Sequence, residues 1–470
     1  MYAESGGRDV QSLYLFSLLG EGKMKKKSNI AYIIICLALC LLPSAGLLIG
    51  GAEESSENRE LASVPSWKTE EGWNANILDD AGAWFEDHFA FRNEWVTGYA
   101  LLAGGIFGVS AQDNVIVGED GWLYYMDSLE DYQGSEQLSD RQLFAVAHTL
   151  AMIQSYAAEN GVDFVFTVAP NKNSLYGERM PYYYRGYRAG ENNLSRIVPY
   201  LEAEQVNYVD LYGFLKSQNE VLYHARDSHW NNKGAALAAD RLLSRLGKKH
   251  ASYADRDFAV RKDCEGDLDQ MLYPAAVRPE DEIYYDPLPQ FRYVEAVESN
   301  FEPRIRTLSD GKEGSLVMYR DSFGNALLPY MAEAFGEAYF SRGVPYPLSD
   351  LFACEADTLV IERAERFLPD MAENAPVMPA PIASDMDEAD FQTEIPDLEV
   401  TDQGVYTKVS GSLPAENLGV DSRVYIRVDE LLTYEAFPVT REDGQDGFEL
   451  YIVTELLEEN SLYELYVSRG

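Results

Sequence analysis

The chain has 470 residues, 46% of them apolar, which is more than one ordinary domain needs and enough for real hydrophobic cores. Against 38 lysines and arginines stand 78 aspartates and glutamates, a formal charge of −40. Such a surface repels nucleic acid and bare anionic polymer unless a local basic patch intervenes, so DNA and RNA are excluded as expected partners.

Residues 1–52 read as a leader. Residues 1–23 carry no structural pattern, whereas the lysines of Met24–Lys27 and the apolar run Ile30–Leu42 have the order of an export signal. Met24 is the expected true start, because Gly20–Lys23 requires purine-rich codons of the kind a ribosome-binding site has. Gly50–Ala52 is a candidate cleavage site, yet Ile30–Ala52 is also about long enough to span a bilayer. A cleaved signal and a retained membrane anchor both stand, and either sends the remainder out of the cytoplasm.

Residues 53–110 read as a helical arm, with helices over 78–91 and 93–102 and with Trp84, Phe85, Phe89, Phe91 and Trp95 at helical intervals. Residues 111–375 alternate strand-like and helix-like runs. The strands fall at 115–117, 164–168, 206–211, 221–223, 315–319, 338–341 and 358–361, and helices include 140–160 and 347–353. That alternation predicts an α/β domain with a mostly parallel sheet covered on both faces, and ligands beyond the C-terminal strand ends. Residues 260–310 lack clean periodicity and read as an insertion with loops. Residues 376–394 have linker composition. Residues 395–470, with half-buried strands at 404–409, 423–428, 448–453 and 462–467, predict a small all-β sandwich module. Glycan binding and plain docking both remain open for it. Most of the 32 tyrosines are expected in cores rather than in sugar sites.

Of four cysteines, Cys36 and Cys40 lie in the leader, and Cys264 and Cys354 either pair or stay as lone thiols. No cysteine–histidine spacing points to zinc, and His224, Asp227 and His229 lack the helical spacing of a metal site, so neither metal nor cofactor is expected.

The chemistry concentrates in two stretches. In Arg226–Trp230, Asp227 and His229 stand between a strand-like run and the helix that follows Asn231. An extended backbone turns i and i+2 the same way, so the carboxylate can orient the imidazole. Taken singly, this pair reads as a half-buried histidine satisfied by a nearby acid. In Arg320–Gly324, Ser322 sits between an apolar strand and a helix, where first-turn amides can face an oxyanion. Taken singly, that serine is an ordinary helix N-cap. Arg320 replaces the first glycine of the G-x-S-x-G elbow, and Asp321 is expected to be structural. Asn171, Lys172, Arg320 and Arg366 are candidate oxyanion or substrate contacts. Ion pairing at a sheet edge accounts for Glu362 and Arg366 individually.

Together, the Asp-Ser-His-Trp stretch and the later Arg-Asp-Ser-Phe-Gly stretch resemble the DHHW-type proteins and the AlgJ/AlgX-like alginate O-acetyltransferases, permuted relatives of the SGNH hydrolases. Residues 118–124, 169–173 with Tyr176, and 84–92 add to the resemblance, which spans roughly residues 57 to 370. It implies an SGNH hydrolase-like (flavodoxin-like) sheet and a Ser322–His229–Asp227 triad. It further implies an extracytoplasmic O-acetyltransferase or acetylesterase that works through an acetyl-serine. The expected partners are a carbohydrate polymer and a membrane-bound O-acyltransferase donor. The rival from another class is a non-catalytic glycan-binding scaffold with a degenerate fold.

Overall fold

The computed structural model describes residues 29–38, 41, 42, 46, 61–69, 72–383, 391–393, 395–414, 418–458 and 460–468. The expected start at Met24, its lysines and the candidate cleavage site lie outside these residues. Among the described residues no helix is long and apolar enough to cross a membrane.

The chain divides into two compact units, the first being residues 1–111 with 270–277. It holds a ribbon of β1 (Lys68–Thr69) and β2 (Gly72–Trp73) and two helices, α1 (Ile77–His88) and α2 (Arg92–Leu102). The break between the helices falls at Phe91, whose φ of 62° is left-handed. Trp84 stacks on His88 one turn later, and the Ala275 N–H donates to Thr97 Oγ1 at 2.9 Å.

The second unit, residues 112–269 with 278–470, contains the α/β fold. It opens with a hairpin of β3 (Val115–Val117) and β4 (Leu123–Tyr125). Helix α3 (Asp140–Glu159) follows, started by a reciprocal cap between Ser139 and Gln142. The central strands are β5 (Asp163–Ala169), β6 (Tyr208–Val209), β7 (Asp257–Cys264), β8 (Glu280–Asp286), β9 (Arg292–Tyr293), β10 (Arg304–Leu308), β11 (Ser315–Tyr319), β12 (Glu337–Ser341) and β13 (Thr358–Ala364). Seven of them form one sheet in the order β6-β5-β13-β11-β12-β10-β9. The first five run parallel, and β10 and β9 add antiparallel at one edge. Strand β13 is buried along its whole length and β11 along all but its first residue, as central parallel strands must be when helices cover both faces. One face packs on α4 (Asn232–Arg245) and α5 (Gly324–Ala334), and the other on α3.

Residues 260–310 are more ordered than a loop insertion. Strands β7 and β8 form their own hairpin. Nearly every residue of β7 is exposed, which removes the apolar alternation that reveals a strand. Residues 221–223 form no strand, and Tyr223 meets Trp230 only as an isolated bridge.

The C-terminal module is all-β and antiparallel: β14 (Phe391–Thr393), β15 (Glu399–Asp402), β16 (Tyr406–Ser412), β17 (Val424–Val428), β18 (Leu432–Thr440), β19 (Asp446–Val453) and β20 (Tyr463–Val467). Its seven strands make one sheet that folds over on itself. The first half of β18 pairs with β17 and the second half with β19, so a single strand turns the corner. Val409, Val424, Ile426, Phe448, Leu450 and Leu465 fill the inside. Residues 376–383 do not run free as a linker. Val377 bridges to Pro347, Pro379 to Tyr451 and Ile382 to Tyr434. Phe437, Val439 and Tyr451 of the module share a core with Leu143 and Val146 of α3. His148, also on α3, lies between Glu204 at 2.8 Å and Glu435 at 2.9 Å.

Candidate active site

Beyond the C-terminal end of β11 the chain turns sharply at Ser322 before entering α5. Closing that turn requires glycine at position 324, where a Cβ would come within 2.5 Å of the Arg320 side chain. Asp321 anchors the turn: one carboxylate oxygen accepts the Phe323 N–H at 2.9 Å and the other the Ala364 N–H at 2.5 Å. The serine is thereby tied to the end of β13, the neighbouring parallel strand.

The second stretch arrives on the loop between Tyr223 and α4. It is a tight loop, and Asp227 folds back so that its Oδ1 accepts both the backbone N–H of His229 and Nδ1, each at 2.8 Å. The other ring nitrogen, Nε2, lies 2.8 Å from Ser322 Oγ. Trp230 and Phe323 clamp the two stretches together. Trp230 Nε1 donates to the Phe323 carbonyl at 3.2 Å, and the buried Phe323 ring meets His229 at 4.9 Å and Trp230 at 5.0 Å between centroids, both edge-on. Contacts of this kind are worth about 0.5–1.5 kcal/mol each beyond their buried area.

Sequence reasoning missed Asp267, which comes from the supposed loop insertion. Its Oδ2 is 3.6 Å from His229 Nδ1 and 2.5 Å from Ser228 Oγ, and its N–H donates to Asp227 Oδ2 at 2.9 Å. Gly266 permits the approach, since a Cβ there would lie 2.3 Å from the Arg226 carbonyl oxygen. No periodicity or spacing in the sequence links residue 267 to residue 229.

Burial opposes a charged His229, but the hydrogen bond and charge of Asp227, with the charge of Asp267 behind it, outweigh that and make the imidazole more basic than usual. Burial likewise opposes ionised Asp227, yet the hydrogen bond and charge of His229 and two backbone N–H donors hold its carboxyl well below the usual range. Asp267 goes the other way, raised by burial and then by the charge of Asp227.

Of the four candidate oxyanion or substrate contacts, only Arg366 faces the serine, with Nη2 3.5 Å from Ser322 Oγ and the guanidinium over the Phe323 ring. Lys172 is a correction. Its ammonium is buried and donates to the carbonyls of Leu123, Ala225 and Asp227 at 2.6–2.8 Å, which consumes all three of its protons. Burial pulls it down to about 7, with the Asp227 charge holding it up. Arg320 is a second correction, because its guanidinium is spent on Asn325 Oδ1 and on the carbonyls of Asn300 and Glu302. Asn171 gives its N–H to Glu365 at 2.7 Å, and its buried side chain lies beside Asp131 rather than Ser322. The sheet-edge account of Glu362 and Arg366 also fails. Strand β13 is interior, and Glu362 is fully buried and accepts the Asp321 N–H at 3.2 Å. Among the first-turn amides proposed for an oxyanion, that of Phe323 is already taken by Asp321.

Cys264 and Cys354 are unpaired thiols. Two groups of side chains converge closely enough for a metal ion, Asp227 with His229 and Asp267, and His224 with Cys264 and Glu282. In the first, Ser322 and Asp227 already occupy both ring nitrogens.

Residues 115–327 match the family model described as an SGNH hydrolase-like domain, acetyltransferase AlgX. The "Probable alginate O-acetylase AlgJ" of Pseudomonas aeruginosa is 24% identical over 212 residues, 44% of this chain and 51% of that protein. The chain thus spans about half the length of this curated relative. Among solved structures, Bacillus cereus PatB1 aligns over 55% of this chain and 97% of its own, at 17% identity and a TM-score of 0.43. A DHHW family protein from Eubacterium siraeum aligns over 55% and 93%, at 17% identity and 0.40. The O-acetyltransferase domain of Pseudomonas putida AlgJ aligns over 55% and 92%, at 17% identity and 0.36.

Proposed function

We propose that this protein, whose residues 115–327 match the SGNH hydrolase-like domain of acetyltransferase AlgX, moves O-linked acetyl groups onto or off a polysaccharide, outside the cytoplasm, through an acetyl-serine at Ser322. One observation supports this reading above the others: a serine hydroxyl, an imidazole and a carboxylate joined in series by two contacts of 2.8 Å. In the first half-reaction His229 Nε2 takes the Ser322 proton as Oγ attacks the acetyl carbonyl. The tetrahedral oxyanion is met by the Arg366 guanidinium and the Ser322 N–H. Collapse expels the donor alcohol, which leaves with the proton held on His229. In the second half-reaction a sugar hydroxyl or water gives its proton to the same nitrogen and attacks the acetyl carbon, and Ser322 recovers its hydrogen.

The proposed donor is a membrane-bound O-acyltransferase, and the proposed acceptor a cell-surface or secreted carbohydrate polymer. Incubation with a chromogenic acetyl ester, quenching in acid and peptide mass mapping tests the reading. An acetyl group on the peptide containing Ser322, transferred to added oligosaccharide in a chase, is the expected result. No turnover together with glycan retention indifferent to Ser322→Ala would instead establish a binding scaffold.

The electrostatics give a pH dependence with a definite sign. The base must be neutral to accept the serine proton, and its neighbours favour the protonated form. The acid limb of kcat/KM should therefore lie above about 6.5, the ordinary imidazole value. Asp267→Asn removes one of the charges that stabilise the imidazolium and should move that limb to lower pH. A limb that stays in place in this variant would remove Asp267 from the electrostatic account.

A further inference from the structure

A second cluster lies on the back of the loop that carries Asp227 and His229, and the proposed chemistry makes no use of it. His224 Nε2 is 2.9 Å from Glu282 Oε2 and 3.4 Å from Cys264 Sγ. The three ligand atoms all fall within 4.8 Å of one another. They come from three separate places: the active-site loop, the end of β7 and the middle of β8. His224 and Glu282 are buried, and Cys264 is partly so.

We propose that His224, Cys264 and Glu282 bind a divalent transition-metal ion, zinc by their chemistry, which staples the β7–β8 hairpin to the catalytic loop. Thiolate, imidazole and carboxylate together are a borderline-soft set suited to zinc rather than to magnesium or calcium. With bonds of about 2.0–2.3 Å in a tetrahedron, neighbouring ligand atoms stand about 3.3–3.6 Å apart. The nitrogen–sulfur distance already has that value, and the nitrogen–oxygen distance needs to open by about half an ångström.

Glu282 is also preset for the role. Its Oε1 accepts the N–H of Asn232 at 3.1 Å and of Ile283 at 2.7 Å, which aims Oε2 at His224 and fixes the carboxylate as outer partners of a metal ligand do. An ion held by the thiolate and the neutral imidazole would release the Cys264 thiol proton to solvent. Three protein ligands leave a fourth position for water. The staple would act on position, since Glu280 on the same strand accepts the N–H groups of Ala225 and Arg226, immediately before Asp227.

The test uses the purified full chain, stripped with a chelator and reloaded with Co²⁺ or Zn²⁺ alone. Expected are about one ion retained per chain after gel filtration, a near-ultraviolet thiolate-to-cobalt band, and protection of one thiol by Zn²⁺ from a disulfide reagent. Cys264→Ser should abolish the band and the protection, and Glu282→Gln, a milder change, should weaken metal retention at least tenfold with the thiol intact. Binding without a thiolate band, thiol reactivity indifferent to Zn²⁺, or a band that survives Cys264→Ser would each overturn the proposal. None of these readouts depends on acetyl transfer, so the site stands or falls separately from the function proposed for Ser322.

Discussion

Ser322→Ala is expected to lower the turnover of an acetyl ester by about a million-fold, with secondary structure and thermal unfolding unchanged. The size follows from the chemistry, because no other hydroxyl occupies the position 2.8 Å from His229 Nε2, and water drawn into the vacated space has neither its orientation nor its captive acyl group. The fold should tolerate the loss. The turn is held by Asp321 and the aromatic clamp by Trp230 and Phe323, and none of these contacts passes through Oγ. Steady-state kinetics with circular dichroism on both proteins settles the matter. Equal rates would take the serine out of the chemistry altogether.

Asp227→Asn should cost about ten-thousand-fold in kcat while leaving substrate affinity little changed. The carboxylate accepts from both the backbone and the ring of His229 through a single oxygen, a pattern that fixes the tautomer with its lone pair toward Ser322. An amide in the same place can turn its NH₂ to the ring, which then carries its proton on the wrong nitrogen. Asp267 cannot make good the loss. At 3.6 Å from Nδ1 it is too far for a hydrogen bond, and its two oxygens already accept the N–H groups of Ser228 and Leu268 and the Ser228 hydroxyl. Single-turnover measurements on Asp227→Asn and Asp267→Asn should thus differ by orders of magnitude. A similar small decrement in both would mean that neither acid sets the tautomer.

The apolar strands that make the parallel core were legible because each is a short uninterrupted run, and Asp227, His229 and Ser322 were legible because their neighbours form two recognisable words. What the sequence hid was whatever depends on exposure or on distant pairing. Strand β7 shows no alternation because water covers nearly all of it. Strand β18 was overlooked because Glu435 and Pro438 interrupt its pattern, although Glu435 is there to meet His148 and Pro438 lies within the part paired with β19. Lys172 and Arg320 were placed correctly near strand ends, but a long cation there has two possible fates. The carbonyls that claimed both of them belong to loops whose approach no local pattern announces. Asp267 was hidden for the same reason.

The stitching of residues 376–383, and the apolar side chains that β18 and β19 lend to α3, make the C-terminal strands part of the protein's foundations rather than a cassette hung on its end. Cutting the chain at residue 383 would bare Leu143, Val146 and Leu150 to water and leave the carboxylate of Glu204 alone at His148. The shortened protein should precipitate or melt well below its parent, and differential scanning calorimetry of the full chain should record one endotherm for these two parts where a tethered accessory would give two.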